Sequence, residues 1–157
     1  MSGILVNIDS DNLNENVDVD FCNFTVKLPK AITLPPNSSV AFVNGNIFRQ
    51  NNTYQNVAIC IDNLPIESYI TNSLTGNTLN AVYFDHSFYK QNQEQTFIQP
   101  SVPMYVKLTN KSNLTFDTLQ LSIRDASRGA LINNIPFLSP VDDVKLVFHF
   151  KYDTTTV

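Results

Sequence analysis

Strict alternation of apolar and polar residues is the feature that most constrains how this chain folds. In TFDTLQLSIRD (115–125) Leu119, Leu121 and Ile123 recur at every second position, and in VKLVFHFKY (144–152) Val144, Leu146, Phe148 and Phe150 do so. Side chains on a β-strand point alternately to opposite faces, so each segment would bury one face and expose the other. No window of about 11 residues or more has apolar positions at the helical spacing. The pattern therefore predicts an all-β protein.

Eight segments with strand character are separated by residues that are typical of turns. They are 4–8, 20–28, 39–48, 56–61, 79–85, 103–109, 117–125 and 144–152, and shorter pieces at 66–71 and 95–99 could add edge strands. Pro35-Pro36-Asn37 predicts a turn, because proline fixes φ and asparagine hydrogen-bonds locally. Asn44-Gly45 fits either a tight hairpin or a glycine bulge within one long strand. We favour the bulge, since splitting the run would leave two very short strands.

This strand count predicts a single eight-stranded antiparallel β-sandwich of the jelly-roll type. An immunoglobulin-like sandwich is the alternative, but the chain has no tryptophan for the Cys…Trp…Cys hallmark. We divide the 157 residues into an N-terminal strand or arm (1–19), a jelly-roll domain (20–152) and a short C-terminal tail (153–157). For the N-terminal segment two interpretations stay open. It either adds a strand to a neighbouring molecule or forms an ordinary first strand and loop.

Charge and composition argue against several classes of partner. The net charge is −4 and the ten Lys and Arg residues are scattered singly, so we expect no nucleic-acid binding. No run of about 18 apolar residues occurs, so we expect no membrane span. The N-terminus lacks the basic start and apolar core of a secretory signal. Cys22 and Cys60 lie in apolar runs, which favours buried thiols that are not disulfide-bonded.

No group of residues has the spacing that chemistry requires. Asp85-His86-Ser87 contains the three residue types of a catalytic triad, but neighbours on a strand point to opposite faces and cannot converge. The chain has two histidines, and neither has a zinc-site spacing. Asp142-Asp143, with Asp9 and Asp11, is more typical of solvated turns than of a calcium loop. We therefore predict that the protein is not an enzyme and has no catalytic residue, metal or cofactor.

Aromatic residues point instead to an interaction surface. The chain has eleven Phe and six Tyr, more than a small sandwich core requires. An exposed aromatic group would mark a partner surface, although a broad core could also absorb these rings. His149 is out of phase with Phe148 and Phe150, which predicts a place on the outer face or at a subunit contact. The candidate interface residues are Tyr69, Tyr83, Phe84, Phe88, Tyr89 and His149.

Two stretches of the chain resemble a known family. DFCNFTVKLPKAITLPPNSSVAFVNGNI is similar to the opening of single-jelly-roll minor capsid and penton proteins of double-stranded DNA viruses, found in virophages, polinton-like viruses and nucleocytoplasmic large DNA viruses. LTFDTLQLSIRDASRGALINNIPFLSPVDDVKLVFHFK resembles the family's last two strands and the loop between them. The likeness covers residues 20–151 and is carried by Ile123-Arg124-Asp125, Gly129 and Phe148-His149-Phe150-Lys151.

The resemblance implies a virion structural protein, a minor capsid subunit that acts through protein–protein contacts in an icosahedral shell. A penton position and another minor position both stay open. The implied partners are further copies of the chain and a major capsid protein or other minor capsid proteins. The implied location is the capsid, after synthesis in the host cell cytoplasm. The alternative function is a receptor- or carbohydrate-binding β-sandwich, such as a trimeric fibre head.

Overall fold

Every regular element of the described part of the chain is a β-strand. The computed structural model describes residues 2–9, 23–48, 57–67, 80–85, 95–125, 130–131 and 144–153. Within these ranges no helix is long and apolar enough to cross a bilayer. The strands are β1 (Ser2–Asp9), β2 (Asn23–Leu34), β3 (Ser39–Phe48), β4 (Val57–Ile61), β5 (Ala81–Asp85), β6 (Gln95–Ile98), β7 (Val106–Lys107), β8 (Leu114–Asp125), β9 (Ala130–Leu131) and β10 (Val144–Tyr152).

The strands form two antiparallel sheets whose pairing defines a jelly roll. Sheet I has the order β1-β10-β3-β6 with β7 also on β3, and sheet II has the order β2-β8-β4-β5 with β9 on β8. Four pairs are nested along the chain: β4 with β5, β3 with β6, β2 with β8, and β1 with β10. This is one long antiparallel hairpin, and rolling it up adds the pairs β3–β10 and β4–β8. The predicted jelly-roll sandwich is confirmed. The immunoglobulin alternative, with sheets ABED and CFG, would need different pairs.

The core lies between the inner faces of the two sheets. The rings of Phe116 and Phe150 meet across the sandwich with centroids 5.7 Å apart, and those of Phe42 and Tyr83 are 4.8 Å apart. β10 therefore lies opposite β8, and β3 opposite β5. Burying each large apolar side chain contributes roughly 1.5–3 kcal/mol. The largest fully buried side chains are Phe42, Phe148, Phe150, Ile8, Leu34, Ile59, Ile61, Leu64 and Leu119.

A turn between β2 and β3 and a bulge within β3 lie close to the positions where the sequence predicted them. Asn37 adopts a left-handed φ of 66° in the turn between β2 and β3, where the Ser38 hydroxyl donates to the Pro35 carbonyl at 2.6 Å. β3 is continuous, and its register with β10 shifts at Val43, which is an extra residue before Asn44. The prediction of one long strand with a bulge is confirmed, but the extra residue is Val43, two residues before Gly45, so it is not the glycine bulge that the sequence predicted.

Two predicted strands differ most from the observed ones, while β1, β5 and β8 differ from their predicted bounds by up to three residues at an end. The strand predicted at 20–28 continues to Leu34, because β2 resumes its pairing with β8 at Ile32 after a shift in register. The strand predicted at 103–109 is reduced to Val106–Lys107, with one further bridge from Leu108 to Ile66. Pro103 lacks the N–H that a ladder needs, which is consistent with the late start of β7.

The N-terminal segment forms a strand of the sandwich. β1 pairs with β10 of the same chain over all eight residues, and its Val6 and Ile8 side chains enter the core. Ser2–Asp9 is therefore an ordinary first strand in sheet I, while residues 10–22 lie outside the described ranges. Cys60 is buried and not disulfide-bonded, as predicted, and Cys22 lies outside the described ranges.

Candidate interaction surface

A cleft opens at one side of the sandwich, between the edges of the two sheets. β5 is the outermost described strand of sheet II there, and β6 and β7 lie on the same side of sheet I. The cleft has a volume of about 990 Å³. Buried Phe42 and Val82 line its depth, half-buried Tyr83 and Phe84 line the β5 wall, and segment 100–107 lines the opposite wall. The cleft thus reaches from solvent to the ring of a core phenylalanine.

The segment that leads into β7 supplies an exposed apolar rim to this cleft. Val102 is 71% exposed, Met104 is 78% exposed and Tyr105 is 39% exposed. We call residues 102–105 the cleft rim. In the described part of the chain the only other exposed large hydrophobic residue is Leu5. The rim therefore gathers most of the exposed apolar side chains that the structure describes, and such gathering is typical of a surface that contacts a partner.

Tyr105 connects the cleft rim to the outer face of sheet I. Its hydroxyl shares a hydrogen bond of 2.7 Å with Nδ1 of His149, and the two rings meet edge to face with centroids 5.8 Å apart. Nζ of Lys151 lies 4.6 Å from the centroid of the Tyr105 ring. Ala41 on the neighbouring strand β3 is the register partner of His149. It is fully buried although it lies on this outer face. The contacts hold the short β7 segment against β10.

β1, the strand next to β10, contacts the His149 ring on the side away from Tyr105. Gly3 lies on β1 beside β10, and a Cβ added at Gly3 would overlap Nε2 of His149. The imidazole therefore occupies the space that any side chain at Gly3 would need. His149 lies between Gly3 and Tyr105. Because both of these residues are exposed, His149 is on the outer face, as the alternation predicted.

The lining of the cleft suits binding better than chemistry. Glu67 and Lys107 are its charged residues, and the Glu67 N–H donates to the Lys107 carbonyl at 2.8 Å. Most of the remaining lining is aliphatic or aromatic. No group of three or more His, Cys, Asp or Glu residues in the described ranges is placed to hold a metal ion. Apolar walls with a few polar groups are typical of recognition sites.

The structure brings together part of the predicted interface. Tyr83 and Phe84 line the cleft, and His149 is joined to its rim through Tyr105. The Tyr83 ring also packs on Phe42, so this residue belongs to both the core and the surface. Tyr69, Phe88 and Tyr89 lie outside the described residues, as do the histidine and serine of Asp85-His86-Ser87.

Sequence reasoning missed the cleft rim itself. Residues 103–105 were included in the strand predicted at 103–109, and neither they nor Val102 were assigned a surface role. The available signal was the pair Pro100 and Pro103, which flank Val102 and limit backbone pairing. Apolar side chains in a segment that cannot join a sheet have less chance of entering the core.

The fold and this surface define a single jelly-roll domain with an apolar cleft between its sheet edges. No protein-family model matches the chain, and a search of curated proteins finds no significant match.

Proposed function

We propose that the protein is a structural subunit of a viral shell: a single-jelly-roll minor capsid protein that acts through protein–protein contacts. The observation that carries the proposal is the apolar cleft rim at the sheet edges of a jelly roll. The resemblance of 20–151 to minor capsid and penton proteins agrees with it. A penton position is the finer form of the proposal. Its partners would be other copies of the chain and a major capsid protein or other minor capsid proteins, in the capsid.

The energetics of the cleft rim support a contact role. Fully burying an aliphatic or aromatic side chain contributes roughly 1.5–3 kcal/mol. Val102 and Met104 leave most of that gain unused in the isolated chain, because they are 71% and 78% exposed, and Tyr105, at 39%, leaves a smaller part of it unused. A few well-packed side chains supply most of the binding energy in a protein interface. The cleft behind the rim provides a concave surface into which a neighbour's side chains would pack.

The test is the assembly state of the purified full chain over a wide range of concentration. Native mass spectrometry and negative-stain electron microscopy should show a closed symmetric oligomer or shell fragments. Met104→Asp should abolish the shell fragments and any oligomer that forms through the cleft rim, because an acidic group would enter an apolar contact. Ser112→Asp is the matched control, since Ser112 is exposed and outside the cleft lining. A chain that stays monomeric, or assembly that both variants leave unchanged, would contradict the proposal.

A recognition module is the second candidate, and the composition of the cleft favours it. Tyr83, Phe84 and Tyr105 line the same cleft as Glu67 and Lys107, so flat rings and charged groups occur together. Rings that bind sugars through their faces need such polar neighbours for the hydroxyl groups. A glycan array should then show binding that Tyr83→Ala removes and Ser112→Asp retains. An array without binding would reject this candidate and leave the shell proposal in place.

A further inference from the structure

The side of the sandwich opposite the cleft is formed by the edges of β1 and β2. β10 lies opposite β8 across the core, so the strands beside them, β1 and β2, end the two sheets on the same side. Among the described strands, β1 pairs with β10 alone and β2 with β8 alone. An edge strand presents N–H and C=O groups that can pair with another chain. The two edges differ in the features that hinder pairing with a strand of another chain.

The β2 edge carries three features that hinder pairing. Pro29 has no N–H to donate, and Lys27 and Lys30 are exposed on either side of it. The register between β2 and β8 also shifts between Lys27 and Ile32, so the strand is irregular at this point. Proline, lysine and bulges are the usual means by which an edge strand is kept from adding a partner strand.

The β1 edge carries none of these features. Its sequence SGILVNID contains no proline and no lysine, and its single charge is at the last residue, Asp9. It pairs with β10 over eight residues without a shift in register. Leu5, at the middle of the strand, is 58% exposed although it is a large apolar residue. A regular edge with an exposed leucine and one charge at its end is suited to pairing with another strand.

We propose that the β1 strands of two copies pair antiparallel, which joins two copies of sheet I across a two-fold axis. With the axis at Leu5, Leu5 faces its own counterpart, Ile4 faces Val6, and Gly3 faces Asn7. The Asp9 of each copy then lies beyond the paired residues, so no like charges meet. A two-fold contact of this kind is self-complementary and closed, and it covers both β1 edges at once.

The low charge of β1, which is confined to Asp9, is the reason for choosing a second copy as the occupant. A strand with one terminal charge offers no electrostatic preference for an acidic or a basic partner, whereas its own sequence matches it in length and polarity. The β2 edges of the two copies would lie side by side, where Lys27 and Lys30 prevent them from pairing. Strand pairing between the two copies is therefore confined to sheet I. Contacts of less than about 1,200 Å² are typical of weak complexes, so association needs high protein concentration.

The experiment compares Leu5→Lys with Thr25→Lys in the full chain. Both positions are exposed on edge strands, so both variants should fold and unfold like the parent protein. In sedimentation velocity at increasing concentration, the parent and Thr25→Lys should dimerise, and Leu5→Lys should dimerise at least about tenfold more weakly. Hydrogen exchange of the β1 amides should slow as the parent dimerises. The dimer does not depend on the shell function, and Met104→Asp should leave it intact.

Three results would overturn the inference: no dimer in the parent chain, equal dimerisation of Leu5→Lys and Thr25→Lys, or a dimer in which exchange of the β1 amides is unchanged. A dimer that is lost in Met104→Asp but kept in Leu5→Lys would place the contact at the cleft. That outcome would support the shell proposal while rejecting the β1 pairing.

Discussion

The Tyr105 hydroxyl lies 2.7 Å from Nδ1 of His149, and this contact joins the cleft rim to the centre of sheet I. β7 contributes only two residues to the ladder with β3. Side-chain contacts therefore add to the backbone pairing that positions the rim. A neutral hydrogen bond contributes about 0.5–1.5 kcal/mol net, and an exposed cation–π contact with Lys151 contributes about 0.5–1 kcal/mol.

Tyr105→Phe should remove the hydrogen bond while keeping the ring beside Lys151. We expect the free energy of unfolding to fall by about 0.5–1 kcal/mol, toward the lower end of the range because the site is partly solvated. Tyr105→Ala should cost about 1–2 kcal/mol, since the ring contacts are lost as well. Urea unfolding followed by fluorescence measures both changes. Equal stability of the parent and Tyr105→Ala would show that β7 is held by its ladder alone.

Gly3→Ala should destabilise the protein by displacing His149. The added Cβ would overlap the imidazole, which is held on its other side by Tyr105. We expect a loss of about 1–2 kcal/mol, in the range for inserting a methyl group into an occupied space. The matched measurement repeats the change in a His149→Ala background, where the space is open and the cost should fall below about 0.5 kcal/mol. The same cost in both backgrounds would place the strain in the β1 backbone.

Phe150→Ala should be among the more damaging single changes in the core. The side chain is fully buried, and its ring meets Phe116 of the opposite sheet with centroids 5.7 Å apart. Phenylalanine-to-alanine changes in cores cost about 3–5 kcal/mol, because they leave a cavity as well as losing contacts. Met104→Ala is the control and should change stability by less than about 0.5 kcal/mol. Thermal unfolding at low protein concentration compares the two, and equal losses would contradict the assignment of the core.

Asn63 extends the pairing of sheet II beyond the end of β4. Its Nδ2 donates to the Thr118 carbonyl at 2.8 Å, and its Oδ1 accepts from the Gln120 N–H at 2.9 Å. Asn63→Ala should lower stability by about 1–2 kcal/mol because both bonds to β8 are lost. Asn63→Asp keeps the acceptor and loses the donor, so its cost should be smaller at neutral pH. Hydrogen exchange at Gln120 should quicken in the alanine variant and stay slow in the aspartate variant.

The strands were predictable where alternation was uninterrupted. β3 and β10 have the bounds that their patterns predicted, because each buries one face continuously. β2 was predicted too short since LPKAI, with Pro29, resembles the end of a strand, and only pairing with β8 shows that it continues. The nested order of pairs depends on contacts between distant segments, and no local pattern contains it.

The candidate surface was predictable only in part. Tyr83 and Phe84 were found because aromatic residues cluster along that part of the sequence. The exposure of Met104 depends on where segment 100–107 lies relative to β5, which is a property of the folded chain. The contact between Tyr105 and His149 joins residues 44 positions apart, so the sequence offered no spacing by which to find it.

The most direct measurement is mass spectrometry of the proteins in viral particles purified from cells that produce this chain, combined with cryo-electron microscopy of the same particles. The shell proposal predicts the chain in the particle, with density for a single jelly roll whose cleft rim at Val102 and Met104 is buried against an adjacent subunit. Particles from which the chain is absent, or in which that rim faces solvent, would contradict it.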